Sequence, residues 1–447
     1  YEIVSRDWSS DVCSSDLLVL GLGITGFSIA RFLLQQKIAF KVADSRQAPQ
    51  RLSEFLSEFP TVEVALDGWS KSTLEEVDEI FISPGIAQNE EIVIWALEQG
   101  IDIVSDIELF SRYVQAPVIG ITGSNGKSTV TQLLGEMVEA SGKKVAVGGN
   151  IGKPALECLH DEVELYVLEL SSYQLDYSKN LNLLTGVVLN ITPDHLDRYQ
   201  SFEHYTNSKL SLYHYCQNLI INMDEPLVPE QASATHFGIN IPKQEQDFGT
   251  VTCHGSCYFL KGDEVLMGVD EMQLIGEHNV ANILAALALG DQIGLNMVTM
   301  TDCVKIFKGL EHRLEWVTDK QGIAFYNDSK ATNALASITA LKALIDKHEN
   351  IVLIAGGLAK DEDHAEFFEL IDRDVFGVVL IGQSAMDFEH GIHTAKTIHA
   401  QDMREAVSLA KDMINNGVVL LSPACASFDM YDNFEHRGRE FKRAVLG

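Results

Sequence analysis

Short apolar runs alternate with segments of helical periodicity along most of the chain, and this alternation limits the possible fold more than any other feature. From Leu17 onward, runs such as LLVLGL, AFKVAD and EIFISPG have the length of buried strands. The segments GFSIARFLLQQ and NEEIVIWALEQG have the spacing of helices with one apolar face. Strands that alternate with helices form parallel sheets covered by helices. The sequence therefore predicts the α/β class.

The chain of 447 residues is too long for one ordinary hydrophobic core. The alternating pattern divides into three units, and no low-complexity linker separates them. We predict a Rossmann-like domain at 17–105, a central P-loop ATPase-type domain with a parallel sheet at 106–309, and a Rossmann-like domain at 310–447. Residues 1–16 are rich in Ser and Asp and have little apolar periodicity. They are interpreted as a leader outside the fold, either disordered or foreign to the native chain.

Composition excludes several classes of function. The net charge of −31 argues against non-specific binding of nucleic acid, which needs a basic surface. No run reaches the ~18 apolar residues of a membrane span, so no membrane partner is expected. The seven cysteines are scattered, as is typical of a reducing compartment. Cys253 and Cys257 form the one close pair, and a hairpin with two free thiols is favoured over a zinc site. We expect a cytoplasmic monomer.

The first glycine motif has the form of a nucleotide-binding fingerprint. Gly21-x-Gly23-x-x-Gly26 follows an apolar run and opens a helical segment, and Asp44 ends the next apolar run 21 residues after Gly23. This spacing is typical of an NAD-binding unit. Taken alone, the motif predicts an NAD-dependent dehydrogenase.

A second glycine loop, GITGSNGKST, also lies between an apolar strand and an amphipathic helix. The strict phosphate-loop pattern fails at one position, because Ile121 stands where a glycine is expected. The sequence Gly126-Lys127-Ser128 nevertheless supplies backbone N–H groups for phosphates and a lysine for the β and γ oxygens. Ser128 or Thr129 supplies a hydroxyl for Mg²⁺. A chain with this loop has an ATP site that a dehydrogenase does not need.

Acidic side chains follow two later strands. Glu169 ends the apolar run ELYVLE, where a phosphate-loop protein places a metal-binding carboxylate. Asp194, His195 and Asp197 cluster in NITPDHLDRY, also at a predicted strand end. His195 is interpreted either as a ligand of Mg²⁺ or water, or as part of a helical first turn capped by Thr192 or Asp194. The sequence leaves both readings open.

Six motifs occur in the order and spacing of one family: GITGSNGKST, LELSSYQL, NITPDHLDRY, YTNSKLSLY, GEHNVANILAALAL and LEHRLEWV. From Leu17 to its end the chain resembles the Mur ligases, the ATP-dependent amide-forming ligases of peptidoglycan precursor synthesis. The C-terminal motifs FYNDSKATN, IAGGLAKD and SPACASFDMYDNFEHRGREF are similar to the branch that adds D-glutamate. The DNPR motif typical of the diaminopimelate-adding branch is absent from the sequence.

The resemblance implies a role for each matching residue. For ATP it implies Gly123, Asn125, Gly126, Lys127, Ser128, Thr129, Asn279, Asn282, Arg313 and Asp328. For the UDP-substrate it implies Thr25, Asp44, Ser45, Arg46, Ser83, Gly85 and Asn150. For D-glutamate it implies Lys330, Thr332, Lys360, Ser427 and Phe434. The implied catalytic residues are Lys127, Glu169, His195 and Lys209, and the implied ligands of two Mg²⁺ ions are Ser128, Glu169, His195 and a carbamylated Lys209.

The implied reaction joins D-glutamate to UDP-N-acetylmuramoyl-L-alanine through an acyl phosphate. Without the resemblance, Lys209 reads as a lysine whose stem lies along apolar neighbours, and Lys330 and Lys360 read as surface lysines. Three alternatives stay open at this point. They are a sibling or folylpolyglutamate-type ligase with another amino acid, an ATP-binding module without ligase chemistry, and the dehydrogenase.

Overall fold

The protein is described by a computed structural model that covers residues 17–194, 198–229, 231–345, 347–359 and 363–447. Three sheets, each combined with helices, make up this part of the chain. The predicted α/β class is confirmed. The expected leader at 1–16 lies outside the described residues.

The first sheet has five parallel strands in the order β3-β2-β1-β4-β5. The order reverses between β2 and β4 around β1, as in doubly wound nucleotide-binding sheets, where ligands bind beyond the carboxyl ends of the strands. The elements are β1 (Leu17–Leu20), α1 (Ile24–Gln35), β2 (Lys41–Ala43), α2 (Leu52–Glu58), β3 (Val64–Ala65), β4 (Glu79–Ile82), α3 (Glu91–Glu98), β5 (Asp102–Val104) and α4 (Asp106–Ser111). The predicted Rossmann-like arrangement is confirmed.

The central sheet has nine strands in the order β14-β13-β12-β11-β10-β9-β6-β8-β7. Strands β6 to β12 pair in parallel, but β12, β13 and β14 pair antiparallel. The elements are β6 (Val118–Thr122), α5 (Lys127–Ala140), β7 (Val145–Gly149), α6 (Ala155–Cys158), β8 (Leu165–Glu169), α7 (Ser172–Asp176), β9 (Leu183–Val188), α8 (Phe202–Leu210), β10 (Cys216–Asn222), β11 (Thr235–Phe237), β12 (Phe248–Cys253), β13 (Ser256–Lys261), β14 (Glu264–Gly268), α9 (Glu277–Gln292) and α10 (Met297–Ile306).

The antiparallel edge corrects the prediction of a purely parallel central sheet. Strands β12 and β13 are joined by a two-residue turn, and the register pairs Cys253 with Ser256 and Thr252 with Cys257. A turn this short can join only antiparallel neighbours, because parallel strands need a long crossover. Cys253 and Cys257 are free thiols. The prediction of a hairpin at this pair is therefore confirmed.

The third sheet has six strands in the order β15-β16-β20-β17-β18-β19. Only its edge strand β15 is antiparallel to its neighbour. Strands β15 and β19 have no buried residue, so no apolar run in the sequence indicates them. The elements are β15 (Glu315–Lys320), β16 (Ile323–Asn327), α11 (Ala334–Ile345), β17 (Ile351–Gly356), α12 (Ala365–Asp374), β18 (Gly377–Ile381), α13 (Ala385–Gly391), β19 (Lys396–His399), α14 (Met403–Met413), β20 (Gly417–Leu421) and α15 (Phe434–Leu446).

By contacts the chain separates into two compact units. One holds the first two sheets, in the described part of Tyr1–Val269 with Ala281–Cys303, and the other holds the third sheet, in Asp270–Val280 with Val304–Gly447. One apolar core spans the first two sheets: Phe27 of α1 and Phe55 of α2, beside the first sheet, belong to the same cluster as Leu168 of β8 in the second. The domain boundaries at 105 and 309 stay predictions. Within the described residues, no helix has both the length and the apolar character needed to cross a membrane.

Candidate active site

The loop between β6 and α5 has the geometry of a phosphate-binding turn. Gly126 precedes α5 with a φ of +83°, which favours glycine. A Cβ at Gly126 would also lie 2.2 Å from Oδ1 of Asn282, so the loop and that asparagine lie in close contact. The Lys127 ammonium donates to the carbonyls of Gly123 (2.7 Å) and Ser124 (2.9 Å). The loop therefore places a cation beside the N-terminus of a helix of 14 residues.

Side chains from the segment after β9 hold the tip of this loop. The Asn190 amide makes two bonds to Asn125: its oxygen accepts from the Asn125 N–H (2.8 Å), and its Nδ2 donates to the Asn125 carbonyl (3.0 Å). Ser124 Oγ accepts from the Thr192 N–H (2.9 Å) and lies 2.9 Å from the Tyr205 hydroxyl. These bonds fix the loop backbone, as a ligand-binding loop requires.

Glu169 ends β8 and lies between the two neighbouring strands. In the sheet register it pairs with Ile121 of β6 and Gly149 of β7. Its carboxylate is buried and accepts from Ser128 Oγ (2.7 Å) and from Asn150 Nδ2 (2.9 Å). Parallel register thus brings the strand-end carboxylate to the first turn of α5, as the sequence predicts.

Lys209 lies on α8 and is only 2% exposed. Its ammonium donates to the Gly123 carbonyl (2.9 Å), the oxygen that Lys127 also contacts, and lies 4.7 Å from the centre of the Tyr205 ring. Burial, followed by the positive charge of Lys127, lowers the pKa of Lys209 to about 7. The interpretation of Lys209 as a lysine whose stem lies along apolar neighbours while its charge reaches water is therefore wrong, because the amine itself is buried.

The oxygen groups beside the phosphate loop suit Mg²⁺. The Ser128 hydroxyl and the Glu169 carboxylate are hard ligands and lie 2.7 Å apart. Among the described residues no group of three or more His, Cys, Asp or Glu side chains is arranged to hold a metal ion. The predicted ligand His195 lies outside the described residues, as does Asp197.

The carboxyl edge of the first sheet carries a second polar cluster. Asp44 is buried, and its carboxylate accepts from the Leu22 N–H (2.8 Å) and from both Nε (2.8 Å) and an Nη (2.6 Å) of Arg46. Burial acts to raise the pKa of Asp44, but the bonds from Arg46 and from Leu22 outweigh it and lower that pKa. The buried Ser83 donates from Oγ to the Gly21 carbonyl (3.0 Å). Asp44 and Ser83 thus contact the glycine turn after β1 directly, and Arg46 lies beside it through its bonds to Asp44.

Thr25, Ser45 and Gly85 are the other residues predicted for this cluster. Thr25 lies in the first turn of α1 and is half-buried, and Ser45 and Gly85 are exposed. Asn150, predicted to bind the same substrate, lies in the central sheet, where its amide contacts Glu169. The residues predicted to bind the UDP-substrate therefore do not all lie beside the first sheet.

In the third sheet, the strand-end residue Asp328 is buried. It accepts from the Leu314 N–H (3.1 Å) and from Ser422 Oγ (2.7 Å). Burial raises the pKa of Asp328 to about 7 in spite of the bond from Ser422. The charge of Arg313, a further predicted ATP contact, acts in the opposite direction on the same group. Arg313 and Asp328 thus act on each other within this unit.

Of the residues predicted for D-glutamate, Lys330 and Thr332 lie in the loop after β16, Ser427 lies in the loop after β20, and Phe434 opens α15. The Lys330 ammonium lies 4.0 Å from the centre of the Phe434 ring, within cation–π distance. Thr332 is half-buried two residues after Lys330, and Ser427 is buried in the loop after β20. Lys360 lies outside the described residues.

One buried arginine that sequence reasoning missed connects these two loops. Arg437 donates to the carbonyl and hydroxyl of Ser329 (2.8 and 3.0 Å) and to the Cys425 carbonyl (3.0 Å). Its motif, NFEHRGREF, is visible in the sequence, but a charged helix residue carries no local sign of burial.

The two asparagines predicted to contact ATP both lie on α9. Asn282 contacts the phosphate loop, and Asn279 donates to the Ile275 carbonyl (2.8 Å).

Three family models match the chain in order. They are the Mur ligase MurD-like N-terminal domain at 15–105, the Mur ligase middle domain at 121–290 and the Mur ligase glutamate ligase domain at 312–425. The chain therefore belongs to the Mur ligase family.

Curated relatives share the full length of the chain. A protein of Nitrosococcus oceani named UDP-N-acetylmuramoylalanine--D-glutamate ligase is 41% identical over 435 residues, covering 96% of each chain. A protein of the same name from Legionella pneumophila is 41% identical over 441 residues, covering 96% of this chain and 98% of its own.

Solved structures share the fold at lower identity. The UDP-N-acetylmuramate-alanine ligase of Thermotoga maritima has a TM-score of 0.60 at 15% identity, covering 96% of this chain and 99% of its own. A pseudomurein peptide ligase type C from Methanothermus fervidus has a TM-score of 0.57 at 20% identity, covering 96% and 100%. At these identities the likeness supports the fold alone.

Proposed function

We propose that this protein forms the amide bond between the carboxylate of UDP-N-acetylmuramoyl-L-alanine and the amine of D-glutamate, at the expense of ATP, in peptidoglycan precursor synthesis. The observation that carries the proposal is the full-length similarity, at about 41% identity, to relatives named for this reaction. The convergence of Lys127, Ser128 and Glu169 around one phosphate loop supports the ATP-dependent chemistry.

The reaction needs activation because a carboxylate and an amine do not condense unaided in water. An oxygen of the L-alanyl carboxylate attacks the γ-phosphorus of ATP, and ADP leaves. The amine of D-glutamate then attacks the acyl carbon of the resulting acyl phosphate and loses a proton. The tetrahedral intermediate expels inorganic phosphate and leaves the amide. Two anions must meet in the first step, so the cation at Lys127 and the N–H groups of α5 lower the barrier electrostatically.

The Ser128 hydroxyl and the Glu169 carboxylate would hold one Mg²⁺, and His195 and Lys209 would hold a second. When bound, Mg²⁺ neutralises phosphate charge as the acyl phosphate forms. Ser128 and Glu169 already lie 2.7 Å apart at the helix N-terminus, and Asn150 orients the other oxygen of the carboxylate. These residues position one carboxylate where phosphate oxygens would bind.

Lys209 becomes a suitable ligand if its amine is carbamylated. The neutral amine adds to CO₂, one proton is released, and a carbamate anion replaces an ammonium. The low pKa of about 7 makes the neutral amine accessible near pH 7. The change also removes the repulsion between Lys209 and Lys127, which share the Gly123 carbonyl.

The remaining predicted contacts complete the proposal. Thr25, Asp44, Ser45, Arg46, Ser83 and Gly85 would bind the uridine nucleotide, and Asn150 the muramoyl part. Asn279, Asn282, Arg313 and Asp328 would complete the ATP site. Lys330, Thr332, Lys360, Ser427 and Phe434 would bind D-glutamate, whose two carboxylates call for cations. A monomer in the cytoplasm stays our expectation.

Phosphate release with purified protein tests the function. We expect turnover to require ATP, UDP-N-acetylmuramoyl-L-alanine and D-glutamate together, with no oxidation of NADH. Equal turnover with L-glutamate, or turnover without the UDP-substrate, would contradict the proposal and favour a sibling ligase or an ATPase.

A further inference from the structure

The loop that follows β4 lies at the end of the first sheet. It is held by a side chain from the segment between β9 and α8, beside the central sheet. The Arg198 guanidinium donates to the carbonyl of Pro84 (2.9 Å) and, through its other terminal nitrogen, to the carbonyl of Gly85. The bonded residues are separated by 114 and 113 positions in the chain. Two successive backbone carbonyls are thus bound by one planar side chain.

The rest of Arg198 is held from the opposite side. Its guanidinium carbon lies 5.1 Å from the centre of the Tyr173 ring, and that ring stacks on Tyr199 with centroids 5.6 Å apart and planes 10° apart. A cation–π contact of this kind, together with the two carbonyl bonds, restrains the guanidinium and hence the direction of its N–H groups. The guanidinium of Arg198 is therefore held in one orientation, unlike that of an unrestrained surface arginine.

A parallel contact holds the same loop three residues further on. Gln88 Nε2 donates to Asp176 Oδ2 (3.1 Å), and the Tyr199 hydroxyl donates to the same oxygen (2.9 Å). Burial raises the pKa of Asp176. Arg198 and Asp176 thus hold the loop at two points. Both residues lie in segments that accompany the central sheet.

The bond from Arg198 shows which way the Pro84–Gly85 peptide faces. The Pro84–Gly85 peptide is trans, so its carbonyl and the Gly85 N–H point in opposite directions. Since the carbonyl faces Arg198, the Gly85 N–H faces away from it. A Cβ built on Gly85 would meet no heavy atom within 4 Å, so there is open space beside this residue.

The loop start is fixed by the first sheet. The Ser83 N–H donates to the Leu20 carbonyl (2.9 Å), and Ser83 Oγ donates to the Gly21 carbonyl (3.0 Å). Ser83 thus joins the loop to the glycine turn after β1, and its carbonyl accepts from the Ile86 N–H (3.0 Å), which closes a turn around Pro84 and Gly85. The Pro84 carbonyl, in the central peptide of that turn, faces Arg198.

We propose that Arg198 is a positioning residue that orients the Pro84–Gly85 peptide so that the Gly85 N–H binds the UDP part of the substrate. The inference rests on the proposed function, because Gly85 is assigned to the uridine-nucleotide pocket there. Arg198 itself touches neither ATP nor the reacting carboxylate in this proposal. Its loss should therefore weaken binding of one substrate and spare the chemical step.

The experiment compares full-length wild type with Arg198→Ala and Arg198→Lys. Lys179→Met is the matched control, because Lys179 also joins the central sheet to the first through an exposed ion pair with Asp102 (2.6 Å). Binding of UDP-N-acetylmuramoyl-L-alanine is measured by calorimetry without ATP, and KM and kcat are measured for each substrate. Thermal unfolding of each variant reports any general loss of structure.

We expect Arg198→Ala to raise the Kd and KM for the UDP-substrate ~tenfold, the loss typical of one or two hydrogen bonds. The KM for ATP and kcat should stay within about twofold of wild type. Arg198→Lys should remain impaired, because an ammonium cannot reach both carbonyls in one plane. Lys179→Met should bind like wild type.

The outcomes separate the two proposals. If wild type does not bind the UDP-substrate, the proposed function fails. If wild type binds it and Arg198→Ala binds equally well, or if Arg198→Lys restores full affinity, the positioning role is overturned. A uniform rise in all KM values, or an equal loss in Lys179→Met, would show a merely structural contact and overturns it too.

Discussion

The two glycine loops share one backbone plan but differ in the charges around them. Each follows a buried parallel strand and opens a helix, α1 in the first sheet and α5 in the central sheet. In the first loop, the Leu22 N–H is already bonded to the Asp44 carboxylate, which Arg46 also binds. In the second, Lys127 and Lys209 both contact the Gly123 carbonyl beside the helix start.

Under the proposed function, this difference lets one backbone plan serve two nucleotides. A strand, a glycine turn and a helix N-terminus attract a phosphate, whatever else that phosphate carries. Cations, an acid and a hydroxyl placed for phosphoryl transfer distinguish the second loop. The first loop instead has a carboxylate that occupies one of its own N–H groups. The dehydrogenase reading of the first motif thus took a fold signal for a functional one.

The largest expected effect is on the second loop alone. Lys127→Ala removes the cation beside the α5 N-terminus and should lower kcat for phosphate release by about a thousandfold, as for the loss of a strong transition-state contact. Binding of the UDP-substrate, measured by calorimetry, should stay at the wild-type level. Lys143→Ala, an exposed lysine after the same helix, is the control and should retain full turnover. Equal loss of UDP-substrate binding would show that the loops do not act separately.

The next effect concerns the second cation of that loop. Lys209→Ala should lower turnover ~100-fold, because the loss of a proposed metal ligand should cost at least as much as the loss of a residue that only supports one. Short carboxylates such as formate or acetate should partly restore it, because they can replace a carbamate. Lys209→Ala with added chloride is the control. Restoration by chloride as well, or no restoration at all, would contradict a carbamate role.

The pH dependence tests the same claim in the unaltered protein. The pKa of Lys209 is lowered to about 7, so the neutral amine dominates above that pH and the ammonium below it. The rate at which CO₂ reactivates CO₂-depleted protein should fall about tenfold per pH unit below 7 and level off above it. A rate that still rises tenfold per unit above about pH 8 would indicate an ordinary lysine.

How far the sequence predicts this site depends on the distance between partners along the chain. Lys127 and Ser128 were predictable because motif, strand and helix are contiguous. Glu169 was predictable because parallel strands end at one edge. The burial of Lys209 carries no local signal, since the Gly123 carbonyl it contacts lies 86 residues earlier, and resemblance alone pointed to this lysine.

The sequence missed Arg198, and it missed that the hairpin at Cys253 and Cys257 forms an edge of the central sheet. Arg198 stands in a motif quoted for its acids, and its carbonyl acceptors lie more than 110 residues away. Strands β12 to β14 are half exposed, so they lack the continuous apolar run that marks a buried parallel strand. Elements with a continuous buried stretch can therefore be predicted from the sequence. Elements and contacts that depend on partners far away in the chain are predicted less well.

A change beside the first loop should impair use of the UDP-substrate and spare use of ATP, the reverse of the effect expected for Lys127→Ala. Asp44→Asn keeps the shape of the side chain but removes the charge that holds Arg46 in two bonds. We expect the KM for the UDP-substrate to rise ~tenfold, as on loss of a charge-assisted pair, while the KM for ATP stays unchanged. Arg31→Gln, which breaks the exposed pair between Arg31 of α1 and Glu58 of α2, is the control. A rise in the KM for ATP instead would reverse the assignment of the two loops.

The smallest effect concerns how rigidly the second loop is held. Asn190→Ala removes both bonds to the Asn125 peptide but leaves Lys127, Ser128 and Glu169 in place. A looser loop pays more entropy on binding, so the KM for ATP should rise by about three- to tenfold, the loss of one or two neutral hydrogen bonds. Asn190→Asp keeps the acceptor for the Asn125 N–H and should lie between Ala and wild type. If kcat falls and the KM for ATP does not, Asn190 acts on the chemical step rather than on the resting shape of the loop.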